Sequence, residues 1–282
     1  MNNFVKRLGV MGCSDRIVKL KEDMLKEDRV MSIEQAKLIT RVYKQHTDKS
    51  IIIKRALSLN EALRNMRITI HEGELIVGNR TVESCAGVVF PEAGINWLQK
   101  EIDDLPARPQ DRFLVRPEDR EYFFQHLVPF WHGHTLEDKI DEQLDPQVKM
   151  LEVVGKLNQK DHAQGHICPD VKKWLQVGPY NLMQQAKTKL KNAEPQKREF
   201  YEAMIIVLRG ACRFIERYGE LASQMADKAM AEGSREDYLK IAHTCYALAK
   251  SPASNFREAI QSLWFLFVIL QMESNASSFS PG

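Results

Sequence analysis

Apolar residues recur at helical spacing through most of the chain. Ile17, Leu20 and Met24 share one face of a predicted helix over residues 14–28, with Ser14 placed to cap it. Ser32-Ile33-Glu34-Gln35 has the Ser-x-x-Gln form of a capping box, and Ala36, Ile39 and Tyr43 follow at helical intervals. A third helix is predicted from about Ile52 to Met66, with Ala56, Leu59 and Leu63 inward. Further helices are predicted over Asn96–Leu105, with Trp97, Leu98, Ile102 and Leu105 inward, and over Glu118–Leu127, Leu136–Leu144 and Pro146–Val154. Pro129 and Gly133 fall between the middle two. From Tyr180 the pattern is helical again. Phe200–Ala231 is long, with Met204, Val207, Ala211, Ile215, Tyr218 and Ala222 on one stripe, and Glu236–Ala249 follows.

The pattern breaks in three places. Ile68-Thr69-Ile70 and Leu75-Ile76-Val77, separated by the turn residues His71–Glu74, read as two short strands or a strand and a bend. Gly87–Phe90 reads as a brief extended piece, because the residue before Pro91 avoids the helical region. Residues 155–180 hold Gly165, Pro169, Gly178 and Pro179 among polar residues and read as loop. The expected fold class is mainly α with a few short β-strands. There is no internal repeat, and no linker divides residues 1–282.

The last stretch, Ser251–Gly282, differs from the rest. Ser251 and Pro252 predict a helix start. Phe256, Ile260, Leu263, Phe267 and Leu270 fall on one face, and Trp264, Phe265 and Val268 make the opposite side apolar as well, which predicts a fully buried helix. It runs into Gln271, Glu273, Ser274, Asn275, Ser277, Ser278 and Ser280. Buried polar groups require partners, so this cluster forms either a local network with the backbone or the wall of a pocket.

A net charge of +2 over 282 residues carries no basic excess, which argues against a dedicated nucleic-acid binder. The run Lys187, Lys189, Lys191, Lys197, Arg198 reads as a solvated face. Five widely spaced cysteines (Cys13, Cys85, Cys168, Cys212, Cys245) include no C-x-x-C pair, so neither a thiolate zinc site nor a disulfide framework is expected. The N-terminal segment lacks the apolar core of a signal peptide, and Leu263–Leu270 is too short to span a bilayer. A cytoplasmic location is expected.

Chemistry is sparse. The dinucleotide, P-loop, H-E-x-x-H and G-x-S-x-G motifs do not occur. His132-Gly133-His134 is a weak metal signal, and neighbouring Trp131 suggests an anchored surface turn instead. His162–Asp170 groups two histidines, Cys168 and Asp170 in the irregular segment. On chemistry alone these are hydrogen-bonding loop residues, and Cys168 is either a reactive thiol or a packing residue.

A resemblance joins these pieces. Q-M-E-S-N-A-S-S-F-S-P-G at 271–282 resembles the E-S-N-x-x-S-x-S segment of glycyl radical enzymes. G-E-L-I-V-G-N at 73–79, F-P-E at 90–92, R-P-Q-D-R-F at 108–113, P-F-W at 129–131, Q-G-H-I-C-P-D at 164–170 and F-R-E-A-I-Q-S-L-W-F at 256–265 agree with it in order. The pyruvate formate-lyase-like and glycerol or diol dehydratase-like branch is the most similar.

The resemblance implies one N-terminal pyruvate formate-lyase-type domain over 1–282. It would be the helical layer of an α/β barrel built from two five-stranded half-sheets, with the barrel incomplete. It implies a lyase, dehydratase or formate acetyltransferase-like activity on a small hydroxylated or keto substrate. It also implies a glycyl radical installed by an S-adenosylmethionine iron–sulfur activase as partner, and no cofactor bound by these residues. In the dehydratase-like members the histidine of G-H-x-x-x-D contacts a substrate hydroxyl, which points to His166. The second serine of the E-S-N-x-x-S piece does the same, which points to Ser278. Ser277 stands where some relatives have histidine. No catalytic radical residue is assigned, because the family's G-C-x-E and R-V-x-G-Y motifs do not occur here. The chain is therefore expected to be inactive alone, and a C-terminal part or a homodimer is a candidate partner. The other reading is a non-catalytic helical interaction module that binds a full-length relative.

Overall fold

The computed structural model describes residues 14–155, 166–274 and 278–280. Its helices are α1 (Asp15–Lys26), α2 (Glu34–Gln45), α3 (Ile51–Asn65), α4 (Pro91–Glu101), α5 (Pro117–Tyr122), α6 (Val128–Trp131), α7 (Leu136–Gln143), α8 (Pro146–Val153), α9 (Val171–Lys191), α10 (Pro195–Lys228), α11 (Glu232–Leu248) and α12 (Phe256–Glu273). A π-helical turn, Phe123–Leu127, joins α5 to α6. A 3-10 turn, Leu105–Ala107, follows α4, and there are two parallel two-stranded ladders: β1 (Val30–Ser32) with β2 (Ala86–Val88), and β3 (His166–Ile167) with β4 (Ser278–Phe279).

Two cores organise these elements. The larger lies between α3, α9, α10, α11 and α12, and centres on Leu63, Phe214, Ile215, Tyr218, Cys245 and Phe265. The rings of Phe214, Tyr218 and Phe265 meet edge-on or tilted at 5.2–6.0 Å, the arrangement that the ring quadrupoles favour. The smaller core packs α2 and α4 against the aromatic segment 123–131, with Ile33, Ile95, Phe123 and Trp131 inside. Trp131 donates its indole N–H to Thr40 Oγ1 at 2.8 Å, so its buried polar atom is satisfied.

Several sequence expectations are corrected. Ser32 does not cap α2. It is the last residue of β1, paired with Val88, so the tertiary ladder takes the backbone that a capping box would need. Ile68–Ile70 and Leu75–Val77 are not strands: Gly73 sits at φ 89° within a turn, and the segment lies as irregular backbone against α12. Helix α9 begins at Val171, well before Tyr180, because Asp170 accepts the Lys173 N–H at 3.0 Å and starts the helix. Gly178 and Pro179 kink it rather than end it. Pro129 lies inside α6 at a tolerated first-turn position, and Trp97 faces outward at 42% exposure. Helix α1 buries none of its residues.

The closing helix is corrected twice. It starts at Asn255, not Ser251. The Asn255 side chain accepts the Glu258 N–H at 3.0 Å, and the Glu258 carboxylate returns to the N–H and hydroxyl of Ser254 at 2.7 and 2.8 Å. The helix is also not buried all round. Phe265, Leu266, Val268, Ile269 and Met272 are buried beside the polar Glu258, Gln261 and Ser262. The Phe256, Ile260 and Trp264 side is exposed. The buried polar residues are there because each is matched. Gln261 pairs with both the N–H and the C=O of Val77 (2.8 and 2.7 Å), and Ser262 receives the indole N–H of Trp174 at 3.0 Å.

Candidate functional site

The two residues singled out in sequence meet through backbone. Ladder β3–β4 sets His166 opposite Ser278 and Ile167 opposite Phe279, and Ser280 N–H donates to the Ile167 carbonyl at 2.9 Å. Phe279 is buried and anchors the ladder on the α12 side. His162, Asn275 and Ser277 lie outside the described residues. Helix α12 ends at Glu273, shortly before β4 begins at Ser278.

That end is clamped from two sides. Arg55 on α3 donates to the Glu273 carbonyl (3.0 Å) and carboxylate (2.6 Å), and also to the Glu92 carboxylate (2.7 Å). Glu92 in turn accepts the Tyr43 hydroxyl. Burial works against the charge of Arg55, but Glu92 and Glu273 outweigh it and hold its pKa above the ordinary arginine value. Burial, followed by the adjacent Glu92 carboxylate, pushes the Tyr43 phenol well above its usual range, so it stays a donor. On the other side the buried Gln35 amide donates to the Met272 carbonyl at 2.9 Å. Arg80 reaches Gln35 only at 3.5 Å, and burial lowers its pKa to about 10.

A concavity of about 400 Å³ opens beside this clamp. Tyr43, Phe90 and Trp131 line it with aromatic surface, together with Arg55, His134, Lys139 and Ser274. It is largely apolar with a few convergent polar groups, the usual make-up of a small-molecule pocket.

The remaining quoted motifs mostly serve architecture. Pro91 opens α4, and Gly78 (φ 131°) lets its loop press against Trp264 and Phe265, with Trp264 Nε1 donating to the Gly78 carbonyl at 2.8 Å. Asp170 caps α9, and Phe113 packs on Gly87 of β2. His134 stacks on Phe130 and bonds the His132 carbonyl at 3.0 Å. Among the described residues no three His, Cys, Asp or Glu side chains are grouped to hold a metal ion. Burial raises the Cys212 thiol to about 11 and the Cys245 thiol to about 12, whereas Cys168 is exposed.

Sequence reading missed Tyr43, Arg55 and Gln35. Arg55 carries no local signal, because its partners are remote in the chain. The one available hint was Glu92 within F-P-E.

Comparison with solved structures defines the class. The chain superposes on the glycerol-bound form of the B12-independent glycerol dehydratase from Clostridium butyricum with a TM-score of 0.90 at 31% identity, over 96% of this chain and 36% of that one. Its fold is that of a glycyl radical enzyme over the aligned region. The pyruvate formate lyase-like family model matches residues 11–282, and the chain belongs to that family. It is 32% identical to the probable dehydratase YbiW of Escherichia coli, over 88% of this chain and 32% of that protein. It is 30% identical to the (2S)-3-sulfopropanediol dehydratase of Klebsiella oxytoca, over 95% of this chain and 34% of that protein. The chain thus spans about a third of the length of these relatives. Among the described residues, no helix is long and apolar enough to cross a membrane.

Proposed function

We propose that this chain is the N-terminal portion of a glycyl radical dehydratase or lyase acting on a small hydroxylated substrate, with His166 and Ser278 as substrate hydrogen-bonding residues. The carrying observation is the β3–β4 register, which sets these two positions side by side at the end of α12. The ladder sets their backbones side by side, and residues held in place before substrate arrives lower a barrier without entering the radical chemistry. Relatives that are dehydratases of a sulfopropanediol, of glycerol and of trans-4-hydroxy-L-proline support a hydroxylated substrate over a keto acid.

The glycyl radical supplies hydrogen-atom abstraction when it is installed by an S-adenosylmethionine iron–sulfur activase. The motifs that would carry it do not occur in these residues. The raised thiol pKa values of Cys212 and Cys245 give neither a ready thiolate. On this reading the chain is inactive by itself. The apolar α12 face around Ile260, Leu263, Trp264 and Phe267 packs against the rest of the enzyme. Its exposure also supports the second reading, a module that docks on a full-length relative.

The test is electron paramagnetic resonance and turnover, with the activase and a small diol, on the enzyme that contains this chain. Ser278→Ala should lower kcat/KM about a hundredfold, the order expected for one oriented polar contact, without reducing the radical signal. Unchanged kcat/KM removes Ser278 from the site. A glycyl radical on the 282-residue chain alone overturns the assignment as an inactive portion.

A further inference from the structure

A second concavity, of about 290 Å³, lies where α3, α9, α10 and the end of α11 meet. The proposed function makes no use of it. Two close backbone approaches build it. A side chain on Gly210 would meet Asn60 Cα at 3.0 Å, so α10 crosses α3 in near contact. Arg209 adjoins that crossing, and Arg64 lies one helical turn beyond Asn60 on the same face. At the second approach, a side chain on Gly178 (φ 74°) would meet the backbone of Ser251 and Pro252 at 3.1 Å. This brings Tyr180, just past the α9 kink, beside Lys250.

The charge there is unbalanced. Arg213 is held by Glu216 at 2.9 Å and Glu220 at 2.5 Å. Arg64, Arg209 and Lys250 are exposed and face the same concavity, and among the described residues no carboxylate pairs with them. Four cations against two carboxylates leave an excess of two positive charges. Cations on a single helix face diverge into solvent. These come from three elements that rigid crossings hold together, so a ligand would not have to bring them together. Guanidinium forks match tetrahedral oxyanions in geometry, and a double charge excess matches a dianion. Tyr180, 40% exposed, lines the same concavity and supplies an aromatic surface for whatever carries the anion.

We propose that this concavity binds a phosphate monoester, with the phosphate between Arg64, Arg209 and Lys250 and the organic part against Tyr180. The site is separate from the His166–Ser278 ladder, so its test does not depend on catalysis.

Titration calorimetry of the 282-residue chain with inorganic phosphate and with phenyl phosphate, at low and high chloride, provides the test. Both ligands should bind saturably at one site per chain and weaken with salt. Arg64→Gln and Arg209→Gln should each weaken both ligands about tenfold, the worth of one charge-assisted hydrogen bond. Tyr180→Ala should weaken phenyl phosphate alone. Circular dichroism checks the fold of each variant, and the exposed Lys250→Gln supplies a charge removal away from the helix crossing. Unsaturable binding, or unchanged affinity in the Arg64→Gln/Arg209→Gln double variant or in Lys250→Gln, overturns the site. Equal loss of both ligands in Tyr180→Ala overturns the placement of the organic part.

Discussion

At the scale of single residues, position in space matters more than residue type. Arg55 is an unremarkable helix residue in sequence, yet it joins Glu92 on α4 to Glu273 on α12. Replacing it by Met keeps the stem and leaves both carboxylates without their cation, and uncompensated buried charge is costly. Arg55→Met should lower unfolding free energy by about 3 kcal/mol in urea titration, and the double variant with Glu92→Gln should recover part of that loss. Glu258 predicts a pH effect. Burial opposes its charge, but the hydrogen bonds from Ser254 and the Asn255 side chain prevail and hold its carboxyl below the usual range. A depressed carboxyl stabilises the fold above its unfolded pKa, and that stability is lost as pH falls through the folded value. Glu258→Gln should therefore flatten the acid limb of the stability curve and leave the neutral-to-basic limb unchanged in slope.

At the scale of elements, starts, kinks and crossings are set by a few positions. Asn255 caps α12, and its removal should cost about 1 kcal/mol. Gly178 is more demanding. Its positive φ disfavours a side chain, and a Cβ there would lie only 3.1 Å from the Pro252 backbone. Gly178→Ala should destabilise by about 2 kcal/mol or more and displace the kink of α9. Thermal unfolding measures the first effect, and loss of protection of the Ser251 amide in hydrogen exchange measures the second. Helical existence was legible at this scale from apolar periodicity. Boundaries were less so, because Ser251–Pro252 and Ser32 carry capping chemistry that the fold spends on other contacts. The irregular segment 68–79 looked like strands because its apolar residues are there to meet α12, not to form a ladder.

At the scale of the whole molecule, the exposed side of α12 stands out. Phe256 is 82% exposed, Ile260 38% and Trp264 40%, while the other face of the helix is packed. Apolar area of this kind drives association. The 282-residue chain should show concentration-dependent self-association in sedimentation velocity, and Ile260→Ser with Phe267→Ser should abolish it while costing little stability. Retained association in that variant would assign the contact to another surface.

By itself the sequence determined the helical class and the chain order of the motifs, while positions 166 and 278 were singled out only by the resemblance to glycyl radical enzymes. Periodicity and motif spacing are local properties, and local backbone preference with apolar burial is enough to express them. Only the tertiary structure decided which face of α12 is buried. Apolar residues occur on opposite sides of it in sequence, so the choice fell to Gln261 and Ser262, whose polar atoms find partners on one side only. The Arg55 clamp and the convergence of Arg64, Arg209 and Lys250 were likewise invisible along the chain. They exist because α3 lies against α10 and α12, an arrangement set by side-chain packing between segments remote in sequence.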